Sequence, residues 1–193
     1  MTLTGGGCVV EFTLETDNVT GDLPFQCGST RLNHAQHCTR LSVMPFADGE
    51  AAVSDALTKA GAPRLSAIGH YDVKQAIRVI WAGHRHWFVE GTTTEVLGAV
   101  PAAIVDQSDG WIAFDLLGAD ACDVLARLCP LDLSPDTFAV GQVARSEVAH
   151  VMGCILAVDD GFQVMVMRSV ALDVIKHVKQ AMRSISAQAV LTS

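Results

Sequence analysis

Cys27, His34, His37 and Cys38 fall within a dozen positions of one another, and all four side chains are of the types that ligate zinc. A tetrahedral thiolate and imidazole set would make a structural metal centre. Their spacing argues against it, because the adjacent His37 and Cys38 rarely converge on one ion and no second C-x-x-C knuckle is present. The segment reads as an ordinary loop. His84 and His86 are two apart, so on one strand they would share a face beside Trp81 and Trp87, where a ligand could be held. A solvated turn is the commoner setting for such histidines. His150 falls at a strand junction and is expected to be a hydrogen-bonded structural residue. Cys122, Cys129 and Cys154 stand in apolar patterns rather than in the electropositive setting that activates a thiolate. They read as core, as do Met152, Met165, Met167 and Met182, with a subunit interface as the alternative for the methionines. Trp81, Trp87 and Trp111 fit either the chain's own core or a subunit contact. No residue is assigned a catalytic, cofactor-binding or metal-binding role.

The composition bounds what such residues could serve. At 193 residues the chain is long enough for one well-buried domain or two small lobes. Hydrophobic residues make up 50% and charged residues only 18%, yet no run of 18 apolar residues occurs. A chain this apolar without a membrane segment suggests that another subunit covers part of its surface. The net charge of −8 and the lack of a Lys/Arg cluster argue against nucleic acid. No secretory h-region opens the sequence, so a cytoplasmic location with its six cysteines reduced is expected.

The elements that would position these residues follow from periodicity. Residues 1–38 read as an irregular segment with one strand at Cys8–Leu14. A first lobe, residues 39–101, reads β-α-β-β-α: a strand from Thr39 to Phe46, a helix N-capped by Asp48 and closed by Gly61, and a hairpin of Ile77–Trp81 with Trp87–Val89. Thr92 and Glu95 form a capping box for its second helix. A second lobe, residues 102–186, reads β-β-α-β-β-β-α. Ser108-Asp109-Gly110 predicts a hairpin between Ala103–Asp106 and Trp111–Leu117, and Asp159-Asp160-Gly161 predicts another further on. The helix after Gly118 carries Asp123 and Arg127 as an outer-face pair. In the last helix, capped by Ser169, Ala171, Val174, Ile175, Val178, Met182 and Ile185 form one stripe. Residues 187–193 are expected to fray. The class is α+β, hairpin-rich with mixed or antiparallel sheets, helices packed on one side and the two lobes sharing one core.

From Ile77 to Ile185 the order and spacing of several phrases resemble the γ subunit of heterotetrameric sarcosine oxidase. They are Trp81-Ala82-Gly83-His84-Arg85-His86-Trp87, Val105-Asp106-Gln107-Ser108, Leu117-Gly118-Ala119-Asp120-Ala121, Leu131-Asp132-Leu133 with Phe138 and Gly141, Ala149-His150-Val151, and Arg168-Ser169. The layout is also similar to the folate-dependent aminomethyltransferase of the glycine cleavage system, a relative in fold of the γ subunit. The resemblance implies an aminomethyltransferase-like fold and a non-catalytic role in assembly and stability. The whole oxidase would demethylate sarcosine to glycine and pass the one-carbon unit to tetrahydrofolate. FAD, FMN, NAD and zinc would be bound by the partner α, β and δ subunits rather than by this chain. The aminomethyltransferases carry a catalytic acid in a Gly-Gly-x-x-Asp-Asp run. Here the corresponding stretch is Met152-Gly153-Cys154-Ile155-Leu156-Ala157, and Asp159 and Asp160 follow in a turn where solvent exposure is expected. A stand-alone folate-binding module of the same type is the alternative reading, and an enzyme using a cysteine or metal site is a third.

Overall fold

The structure, a computed structural model, describes residues 21–36 and 38–192, so the strand expected at Cys8–Leu14 lies outside the described residues. The first described elements are a hairpin of β1 (Phe25–Cys27) and β2 (Thr30–His34). There follow β3 (Arg40–Pro45), α1 (Glu50–Lys59), β4 (Tyr71–Lys74), β5 (Ile77–Gly83), β6 (His86–Glu90), α2 (Thr94–Leu97) and β7 (Ala102–Asp106). The second half holds β8 (Trp111–Leu117), α3 (Ala121–Ala126), β9 (Val143–Val148), β10 (Val151–Val158), β11 (Gly161–Met167), one 3-10 turn (Arg168–Val170) and α4 (Ala171–Thr192).

These strands build two sheets, with order β4-β5-β6-β3-β7 in one and β1-β2-β8-β11-β10-β9 in the other. Every pairing is antiparallel. Alternation along the strands divides the side chains between three clusters. Leu41, Val43, Val79 and Val89 face Val53 and Leu57 of α1. Leu32, Phe114, Leu116, Ile155 and Val164 face α3 and the stripe of α4, where Val174, Ile175, Val178 and Met182 are buried. Between the sheets lie Ile80, Ala82, Phe88, Trp111, Val143, Cys154, Leu156 and Met165. The result is a four-layer arrangement, helix, sheet, sheet, helix. Each fully buried Leu, Ile or Phe in it contributes about 1.5–3 kcal/mol through removal from water.

Several expectations are corrected. The α+β class stands with wholly antiparallel sheets, and helices lie on one side of each sheet, so that the molecule carries them on both outer faces. Residues 25–34 are a hairpin rather than irregular chain, and β2 pairs with β8, from Arg31↔Leu117 to His34↔Phe114. This N-terminal segment thus completes the sheet of the second half. β7 and β8 do not pair with each other: β7 lies beside β3, and β8 lies between β2 and β11. Ser108-Asp109-Gly110 therefore carries the chain from one sheet to the other. The turn has its own chemistry, because Asp106 Oδ1 accepts from the Ser108 amide at 2.8 Å and from its hydroxyl at 2.6 Å. These bonds hold the Asp106 carboxyl below the usual carboxylate range.

The helix ends differ too. Gly49, not Asp48, precedes α1, and Asp48 has a left-handed φ of 61°. Thr93 rather than Thr92 stands at the N-cap of α2 and makes no side-chain cap bond; hydrogen bonding, from Thr93 first, holds the Glu95 carboxyl below its ordinary value. Ser169 lies inside the 3-10 turn that precedes α4 rather than at its N-cap. Arg127 stands at the C-cap of α3 and its guanidinium is engaged by α4 rather than by Asp123. It donates to Ser184 Oγ at 3.1 Å and Gln188 Oε1 at 2.7 Å on α4. α4 runs through to Thr192.

Candidate functional site: the seam between the sheets

The greatest concentration of polar chemistry in a buried setting lies where the two sheets face each other. Arg40, Glu90 and Arg78 stand side by side on β3, β6 and β5, because the register pairs Arg40 with Glu90 and Arg78 with Glu90. The Arg40 and Glu90 side chains are only 5% and 4% exposed, and that of Arg78 is 20% exposed. Burying charges so deeply is tolerated only when each is paired. Arg40 Nε and Nη2 lie 2.8 and 2.7 Å from Glu90 Oε1, while Arg78 Nε donates to Oε2 at 2.7 Å. Each carboxylate oxygen therefore serves one guanidinium.

The network crosses the seam. Arg40 Nη1 donates to the Trp111 carbonyl at 3.3 Å, and Arg78 Nη2 donates to Gln163 Oε1 at 2.5 Å. Gln163 Nε2 then donates to Asp115 Oδ1 at 2.8 Å. Two arginines and two carboxylates balance in charge, and the hydrogen bonds lock one sheet against the other in a single register. Tyr71 adds a tie, its hydroxyl donating to the Ala157 carbonyl at 2.7 Å. Such an array has no free base or nucleophile; what it can do is align two layers.

At another point of the seam the Ser42 hydroxyl meets His86 Nε2 at 2.8 Å, and the His86 ring packs edge-on to Phe88. Burial, and then the nearby Arg145 charge, hold the His86 pKa below its ordinary value. Arg145 lies over the Trp111 ring at 5.3 Å and donates to the Ala82 carbonyl. Met44, Val105, Met152 and Met167 continue the seam-facing alternation of their strands yet remain exposed, Met152 by 53%. The seam is therefore closed by ion pairs at one place and lined by uncovered apolar side chains at another.

The residues singled out from sequence are dispersed. Cys27 packs in the helix-side cluster, His34 ends β2, and Cys38 lies beside Glu90. His37 is outside the described residues. Among the described residues no three His, Cys, Asp or Glu side chains group as metal ligands. A bulge between Trp81 and Gly83 and the turn at His84-Arg85 separate the two histidines: His84 is exposed at the tip and His86 is half-buried. They do not share a face. His150 is exposed, 3.1 Å from Glu147. Burial is the first cause raising the thiol pKa values of Cys122, Cys129 and Cys154, which disfavours the thiolate that a nucleophile needs. Met165 and Met182 are core, whereas Met152 and Met167 are exposed. Trp87 donates its indole N–H to the Ser66 carbonyl, and Trp111 is buried in the seam. Asp159 and Asp160 are exposed in the turn between β10 and β11.

The ionic network escaped sequence reasoning altogether. Arg40, Arg78, Glu90, Asp115 and Gln163 are scattered over more than a hundred positions and form no motif. The available signal was a charged residue within each apolar strand, Arg78 before Val79-Ile80 and Glu90 after Phe88-Val89.

No protein-family model matches the chain, and no curated protein matches it. The structure is similar to a chain of heterotetrameric sarcosine oxidase from Corynebacterium sp. U-96 solved in complex with pyrrole 2-carboxylate. The TM-score is 0.70 at 21% sequence identity, over 81% of this chain and 85% of that one. The two chains share a fold over most of their lengths.

Proposed function

We propose that this chain is a non-catalytic subunit of a heterotetrameric sarcosine oxidase, in the γ position, serving assembly and stability. The observation that carries the reading is the shared fold over 81% of this chain and 85% of a chain from such an oxidase. Two features support it. The charged groups of the seam are spent on one another, which suits a scaffold. Exposed Met44, Val105, Met152 and Met167 leave apolar surface for a neighbour. In this reading the fold is aminomethyltransferase-like, the neighbours are α, β and δ subunits, and the assembly works in the cytoplasm. The partners hold FAD, FMN, NAD and zinc and oxidise sarcosine to glycine with transfer of the one-carbon unit to tetrahydrofolate. Co-expression with the candidate large subunits, followed by size-exclusion chromatography, tests it: a stoichiometric complex is expected, and elution of this chain by itself overturns the assignment.

A further inference from the structure

We propose that the open apolar pocket under the 131–141 loop is a docking point for a partner-subunit segment that inserts one large apolar side chain flanked by lysine or arginine. This rests on the reading of the chain as part of a multisubunit oxidase. The pocket, of about 400 Å³, lies where α3 begins and where β10 turns into β11. Leu133, Ala121 and Phe162 are buried behind it, and Phe138 stacks on Phe162 with centroids 6.3 Å apart. Val140, 58% exposed, forms an uncovered apolar lip.

The wall is already set. Asp132 accepts from the Ser134 amide at 3.0 Å and from the Thr137 hydroxyl at 3.1 Å. Gln142 Oε1 accepts from the Ala139 amide at 2.6 Å, and the Gly141 amide donates to the Ala157 carbonyl at 3.3 Å. A wall fixed this way loses little freedom when a guest enters.

Charge identifies the guest. Of the lining residues, only Cys122 and Asp159 bring polar side-chain atoms, whereas pockets for small molecules use several placed polar groups. The exposed charges next to the lining are acidic: Asp123, Asp132, Asp136, Asp159 and Asp160. Asp123 follows the lining residue Cys122 in sequence and Asp132 precedes the lining residue Leu133, so both carboxylates border the pocket. From Gly118 to Gln163 the chain has no lysine and two arginines. Arg127 is turned to α4 and Arg145 to the seam. Arg31 meets one rim acid, Asp160, at 3.6 Å. An apolar floor bordered by carboxylates, of which Asp160 has Arg31 as a partner among the described residues, matches an apolar anchor between cationic neighbours, with the rim excluding water and steering approach.

The test titrates the full chain against the co-expressed large subunits at several salt concentrations. Two variants are compared with the wild type, Asp136→Lys/Asp159→Lys and the pocket-filling Ala119→Trp, with thermal midpoints confirming that each is folded. Affinity is expected to fall by about tenfold or more in both variants, with a flatter salt dependence in the first. Wild-type affinity in both variants overturns the pocket while leaving the oxidase reading intact. Failure of the wild-type chain to bind the large subunits removes both.

Discussion

Glu90 reaches two guanidiniums at once, so its removal strands both. In Glu90→Ala, Arg40 would keep the Trp111 carbonyl, and Arg78 would keep Gln163 and the Tyr71 ring but no carboxylate partner. Taking one partner from a buried pair costs about 3–5 kcal/mol, because the remaining charge stays desolvated. A loss in that range is expected for Glu90→Ala by urea denaturation. The double variant Arg40→Met/Glu90→Leu, which removes a charge of each sign, is expected to lose less than Glu90→Ala alone; an equal or greater loss would contradict the assignment. His86 gives a pH-dependent counterpart. Its folded pKa lies below the ordinary 6.5, so between the two values the unfolded chain binds the extra proton. Stability from this group is complete above about pH 6.5 and is lost as pH falls through that value toward the folded one. His86→Gln, which can keep a hydrogen bond to Ser42, is therefore expected to be less acid-sensitive than wild type. Denaturation midpoints at pH 7 and pH 5.5 provide the comparison, and parallel losses would remove His86 as the cause.

Where elements meet, backbone rather than side chain sets the constraint. Gly118 leaves β8 with a left-handed φ of 113°, and a Cβ there would stand 2.0 Å from the Ser29 carbonyl oxygen in the β1–β2 turn. Gly118→Ala must shift that turn or the strand end, and a loss well above 1 kcal/mol is expected by chemical denaturation. A near-neutral effect would mean that the β1–β2 hairpin does not sit against β8 as described. Local signals of this sort made part of the fold legible. The hairpins from β5 to β6 and from β10 to β11 follow from neighbouring runs and turn residues, and the stripe of α4 follows from its period. Which strand lies beside which across long separations carries no local mark. Nothing between Thr30 and His34 announces a partner at 114–117, and the Ser108-Asp109-Gly110 turn reads the same whether the chain folds back or crosses to another sheet. The seam follows the same rule: His86 stands out by its type, but Ser42 and Arg145 reach it through the packing of strands and sheets.

At the scale of the molecule, the crossover after β7 and the return of β2 to β8 interleave the two halves of the sequence. The β1–β2 hairpin from the first half completes the sheet of the second, while Ile80 and Phe88 are covered by Trp111, Leu156 and Met165 of that half. The buried charges enforce the same dependence. If the sheets parted, Arg78 would lose Gln163 and Arg40 the Trp111 carbonyl, and the apolar groups between the sheets would return to water. Neither sheet with its helices is then a unit that can melt alone, and one cooperative transition is expected rather than two. The tryptophans allow this to be read layer by layer, because Trp87 lies in the cluster under α1 whereas Trp111 lies in the seam. Variants retaining only one of these two tryptophans, each with phenylalanine at the other two positions, report separately on the layers. For each variant, its fluorescence midpoint in urea is expected to coincide with its far-ultraviolet circular dichroism midpoint. A Trp111 signal that changes at lower urea than the circular dichroism would show the seam opening while the sheets persist, and the two halves would then be docked lobes rather than one interleaved fold.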